Sequence, residues 1–138
     1  MKGKIYYIFI MFVVIFQFAS VSGNDAKASE SGDVRSVVIE FLHYLKNGNT
    51  DGVLSLITDP MLSERKVVLG RNPNYPVMLM DAYKKTDFQI MSVEKLDNLH
   101  YSVVVDSIVG DEIVKKTEFI CQKDDDSWKI SEEIRKGV

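Results

Sequence analysis

The feature that most constrains this chain is a change of hydrophobic period after Thr86. Before it, apolar residues recur at helical spacing; after it, they alternate with polar ones. Four strand-like segments follow, at about 87–96, 100–109, 112–123 and 128–134. Asp97-Asn98, Gly110-Asp111 and Asp124 to Asp126 separate them, all residues favoured in tight turns. Helices followed by an antiparallel meander make an α+β arrangement.

The helical half begins with Asp33, a good N-cap for a helix running to about Lys46. Val34, Val37, Val38, Phe41, Leu42 and Leu45 form its apolar stripe, and His43 falls on the opposite, solvated side. Asn47-Gly48-Asn49 ends it, because Gly and Asn tolerate the left-handed terminal conformation. Thr50 can cap a second, shorter helix carrying Val53, Leu54, Leu56 and Ile57. Asp59-Pro60 opens a further turn or helix through Met61 and Leu62. Val67-Val68-Leu69 reads as a short strand, so the sheet has four or five strands. Pro76 suits the first turn of a third helix over about 76–85, with Asp81 turned to water.

The N-terminus has a different character. Lys2 and Lys4 precede an apolar run from Ile5 to Phe18, broken only by Gln17, and small residues follow. Val21 and Gly23 stand at suitable offsets for cleavage before Asn24, the layout of a secretory signal peptide over 1–23. The run is shorter than the roughly 20 residues of a comfortable membrane span. Membrane attachment is therefore expected only if this segment is retained. Residues 24–33, NDAKASESGD, read as a flexible leader, and 34–138 as one domain of an exported protein, periplasmic or secreted. Losing Lys2 and Lys4 makes the formal charge of −3 two units more negative, and no basic cluster remains. Nucleic acid is not an expected partner, because neutralising phosphates requires clustered Lys and Arg.

The short turns permit an expectation for register. A two-residue Gly110-Asp111 turn sets Val109 opposite Glu112 and Ile108 opposite Ile113. Carried outward, it pairs Asp106 with Lys115, Ser102 with Phe119 and His100 with Cys121. Across the aspartate turn, Lys123 meets Trp128 and Cys121 meets Ile130. One face then collects Val104, Ile108, Ile113, Phe119, Cys121, Trp128 and Ile130, suited to packing beneath the helices. The same face carries His100, Asp106 and Lys115. The opposite face mixes Glu112, Lys116, Glu118, Lys129, Ser131 and Glu133 with Tyr101, Val103, Val105 and Val114, and could serve a homodimer.

Polar groups on an apolar face are costly unless paired or wet. His100, Asp106 and Lys115 therefore read either as a rim histidine beside a cross-strand ion pair or as the polar lining of a ligand cavity. Cys121, Phe119 and Trp128 would complete that lining, and Met80 and Met91 would supply an adaptable wall. Catalysis finds less support. His100 and Asp106 lie six residues apart on one strand, roughly 20 Å at about 3.3 Å per residue. Cys121 beside His100 lacks an orienting third group and reads as a buried, inert thiol. From Asp124, position six is Lys129 and position twelve is Arg135, which excludes a calcium loop of the helix-loop-helix type. With no HExxH, CxxC or P-loop motif, no metal or cofactor is expected.

The amphipathic VRSVVIEFLHYL, the break into NGNTDGVLSLIT, a further helix and a meander ending in DDDSWKISEE resemble the nuclear transport factor 2-like superfamily. This cystatin-like α+β cone includes small exported bacterial members, and the resemblance covers about residues 34–134. Trp128-Lys129-Ile130 is its most telling piece. The resemblance implies N-terminal helices packed on a curved antiparallel sheet, with a pocket between them. Some members are isomerases or dehydratases, whereas others only bind a ligand or dimerise, so fold does not decide function. The expectation is a non-catalytic binding domain for a small apolar ligand or an envelope protein partner. The alternative is a small pocket enzyme using His100 or Asp106.

Overall fold

The computed structural model describes residues 29–138. The signal-peptide expectation, and the leader up to residue 28, lie outside the described residues. Chain contacts divide the protein into Met1–Gly32 and Asp33–Val138. Of the first unit only residues 29–32 are described, and they are helical.

Helix α1 covers 29–47, so Asp33 stands inside the helix and is not its N-cap. Its apolar stripe is buried as the spacing requires: Val34, Val38, Phe41, Leu42 and Leu45 all enter the core. Gly48 adopts a positive φ of 67° and turns the chain. Helix α2 (Thr50–Ser55) starts from Asn49, whose side chain accepts from the Gly52 N–H; Thr50 lies within it. Helix α3 (Met61–Arg71) takes in the segment expected as a strand at Val67-Val68-Leu69. There Ser63, Glu64, Arg65 and Lys66 favour helix, and the Asp59 carboxylate accepts from the Ser63 N–H in the first turn. Helix α4 (Tyr75–Tyr83) carries Pro76 in its first turn and ends at Lys84.

The sheet is four-stranded, antiparallel and in chain order: β1 (Asp87–Asp97), β2 (His100–Val109), β3 (Glu112–Asp124) and β4 (Ser127–Lys136). The described residues are thus α+β, four helices on an open meander. Among the described residues no helix is long and apolar enough to cross a membrane.

Two single-residue bulges decide which side chains meet the helices. The tight turn pairs Ile108 with Ile113 and Val109 with Glu112, but the register shifts between Ser107 and Ile108. Beyond it, Tyr101 faces Cys121, Val103 faces Phe119, Val105 faces Thr117 and Ser107 faces Lys115. The expected face of β2 is therefore reversed: Tyr101, Val103 and Val105 enter the core, and Asp106 turns to the other side opposite Lys116. The physical reason is what the helices meet. This register sets a tyrosine and two valines against their apolar side chains, whereas the other would set His100, Ser102 and Asp106 there; Ser102 and Asp106 are instead buried on the opposite face. In β4, Lys123 meets Trp128 and Cys121 meets Ile130, after which Ser131 is an extra residue and Glu133 falls opposite Phe119.

Phe41 of α1 packs edge-on against Phe119 at 5.6 Å between centroids, and Tyr101 against Trp128 at 5.2 Å. Part of the outer edge of β4 is closed by the segment after α2. Ile130 donates to the Leu56 carbonyl and accepts from the Thr58 N–H, both at 2.9 Å.

Candidate functional site

The residues expected to line a pocket separate into several environments. Phe119, Cys121 and Trp128 are core residues. Burial pushes the Cys121 thiol up to about 12, which keeps it protonated and unreactive near neutrality. Lys115 and Phe119 border a void of about 10 Å³ between α1 and the sheet, room for one water at most. Phe41, Leu42, Leu45 and Phe119 fill the space where a ligand cavity was expected. Met80 is 46% exposed on α4 and Met91 51% exposed at the β1 bulge, so neither walls an enclosed site.

His100 and Asp106 do not converge. The His100 Nδ1 lies 2.8 Å from Asp97 Oδ1, closing the β1–β2 turn, and pairs across the ladder with Gln122 in place of Cys121. The Leu99 N–H, then His100, hold the Asp97 carboxyl below its ordinary range. Asp106 is 2% exposed, with Oδ1 3.7 Å from Lys116 Nζ and no hydrogen bond to that oxygen among the described residues. On the same face Ser102 Oγ donates to Glu118 Oε1 at 2.6 Å, and Lys136 donates to the other carboxylate oxygen. Among the described residues no group of three or more His, Cys, Asp or Glu side chains is placed to hold a metal.

A more developed site lies elsewhere, between α3 and β4. A cleft of about 460 Å³ is bordered on the helix side by Pro60, Met61, Glu64, Arg65 and Val68. Ser131 to Ile134 border it on the strand side, with Tyr75 at the start of α4. Its volume falls within the roughly 300–1,000 Å³ common for ligand sites. Met61, Arg65 and Val68 stand at i, i+4 and i+7, which sets all three on one side of α3.

A chain of polar contacts fixes this cleft. Arg65 donates to the Tyr75 hydroxyl at 2.6 Å and to Glu133 Oε2 at 3.1 Å. Lys115 donates to Glu133 Oε1 at 3.0 Å, so one carboxylate joins two cations. The Arg65 guanidinium also lies 5.9 Å from the centre of the Phe41 ring. The side chains of Arg65 and Glu133 are only 15% and 23% exposed, so solvent screens the pair weakly.

Of the expected lining, only Lys115 joins this network. Sequence reading missed Arg65 and Val68 by assigning part of α3 to a strand, and Glu133 by carrying strict alternation through Ser131. The i, i+4, i+7 spacing of Met61, Arg65 and Val68 was the available signal. The chain matches no protein-family model and no curated protein.

Proposed function

We propose that the chain is an exported, non-catalytic binding domain of the nuclear transport factor 2-like type, with its ligand site in the α3–β4 cleft. The observation that carries this reading is the preformed cleft, apolar at Met61, Val68 and Ile134 and fixed by the Tyr75–Arg65–Glu133–Lys115 contacts. Its occupant is a small molecule with an apolar body or an apolar segment of an envelope protein. Such a group would cover Val68 and Ile134, which are 41% and 37% exposed. Export is supported by the basic, apolar, small-residue order of residues 1–23. The superfamily assignment is supported by the helix, break, short helix and closing meander, and by the helices packed on one face of a four-stranded sheet.

The test is a titration with 1-N-phenylnaphthylamine, a neutral probe that fluoresces when transferred from water to apolar surroundings. Val68→Trp fills the cleft, whereas Val67→Trp places the same ring outside it. The expected result is enhanced fluorescence with the wild type and Val67→Trp, and its loss with Val68→Trp. No enhancement, or equal enhancement in both variants, would contradict the assignment of the site.

A further inference from the structure

We infer that the occupant of the α3–β4 cleft is an extended basic peptide segment that joins the sheet along the free edge of β4. This deepens the binding reading above and rests on it. The chain-order sheet makes β4 an edge strand. Its first part is covered, because both backbone groups of Ile130 are bonded to Leu56 and Thr58. Among the described residues the remainder is free. Ile130 points its N–H and C=O away from β3; alternation, corrected for the extra Ser131, turns the same groups of Glu133 and Arg135 outward. Outside the β3 ladder, no backbone hydrogen bond reaches these two residues among the described residues. An unpaired strand edge beside a cleft is the geometry that strand addition uses.

Charge selects the occupant. Glu133 is neutralised by Arg65 and Lys115, but Glu64 on the helix wall and Glu132 on the strand wall have no ion pair among the described residues. Glu64 lies on the helix and Glu132 on the strand, where its partner Ile120 sets it on the sheet face away from Glu133. These two uncompensated carboxylates at the cleft border favour Lys or Arg in the guest, and Met61, Val68 and Ile134 favour apolar residues between them. Arg135 and Lys136 follow at the far end of the edge, and Lys136 is already paired with Glu118. The preference for a basic guest is thus set at Glu132, where the free edge begins. Alternating apolar and basic side chains suit an added strand, whose residues point to opposite faces.

The probe is a capped eight-residue peptide of alternating valine and lysine, compared with its valine–glutamate counterpart and an N-methylated version unable to form a ladder. Amide exchange is followed by NMR in the full domain. The expected result is protection of the Glu133 and Arg135 amides by the valine–lysine peptide alone, with affinity about tenfold weaker in Glu64→Gln/Glu132→Gln. Both substitutions are at exposed positions, so the fold is retained. Equal binding of the acidic or N-methylated peptide, or binding without amide protection, overturns strand addition by a basic guest. Protection that grows with protein concentration and needs no peptide overturns it in favour of a second copy of the chain. If the peptide fails while phenylnaphthylamine still binds in a Val68-dependent way, the cleft remains the site and only this occupant is excluded. Failure of both removes the underlying reading.

Discussion

Glu133 stands directly opposite Phe119 in the β3–β4 ladder, so a carboxylate shares the helix-covered face with the ring that packs on Phe41. Strict alternation would turn Glu133 to the other face. The extra residue Ser131 brings it within reach of Arg65 and Lys115, and the cleft takes its shape from that contact.

Removing this carboxylate should cost far more than removing its neighbour. Glu133→Gln leaves two partly buried cations without their counter-ion, at an expected cost of about 2 kcal/mol, between the exposed and buried limits. Glu132→Gln changes an exposed side chain and should stay within about 0.5 kcal/mol. Urea denaturation of the two variants checks this, and equal midpoints would remove Glu133 from its structural role.

Gly48 and Gly110 both have positive φ, at 67° and 63°, but differ in their surroundings. A Cβ at Gly48 would lie 2.6 Å from Met80 Cγ and 2.7 Å from the Pro76 carbonyl oxygen, whereas at Gly110 it meets open space. Gly110→Ala should therefore cost only the backbone strain, about 1 kcal/mol. Gly48→Ala adds a steric clash against backbone and should cost roughly 2–3 kcal/mol. Thermal melts of the two variants measure the difference.

The acid limb of stability should depend on Glu118. Hydrogen bonds from Lys136 and then Ser102 hold its carboxyl below the ordinary value of 4.5. A depressed folded pKa contributes stability at neutral pH that disappears as pH falls from about 4.5 through the lowered value. Glu118→Gln should flatten stability against pH in that window. Asp59 and Asp97 are depressed in the same direction, by Ser63 and by Leu99 with His100, and should preserve part of the slope.

Cys121 should be silent toward Ellman's reagent at pH 8 in the native protein and fully reactive in denaturant. Its thiol is pushed up to about 12 by burial, so the folded state retains a proton that the unfolded state releases above about 9. Stability should accordingly decline as pH rises through that range. Rapid native labelling, measured by absorbance at 412 nm with time, would show that the thiol is accessible.

The sequence allowed the strand boundaries and the local pairings beside each turn to be read. Val109 opposite Glu112 and Lys123 opposite Trp128 follow from turn length alone. Longer extrapolation failed at the bulges, because one inserted residue exchanges the faces of everything beyond it, Asp106 and Glu133 included. Val67 and Val68 suggested a strand from their β-branched side chains, but the hydrogen bond from the Ser63 N–H to Asp59 and the helix-forming residues Glu64 to Lys66 override so short a run. The central site was the least legible part. Arg65 and Glu133 are 68 positions apart, and no local pattern encodes their meeting.

The most direct test of the cleft as the binding site is an NMR measurement of nuclear Overhauser contacts from bound phenylnaphthylamine to assigned methyl groups. Contacts to Val68 and Ile134, with none to Met91 on the far edge strand, are the predicted result. Contacts to Met91 or to the outer sheet face, with Val68 and Ile134 silent, would contradict it.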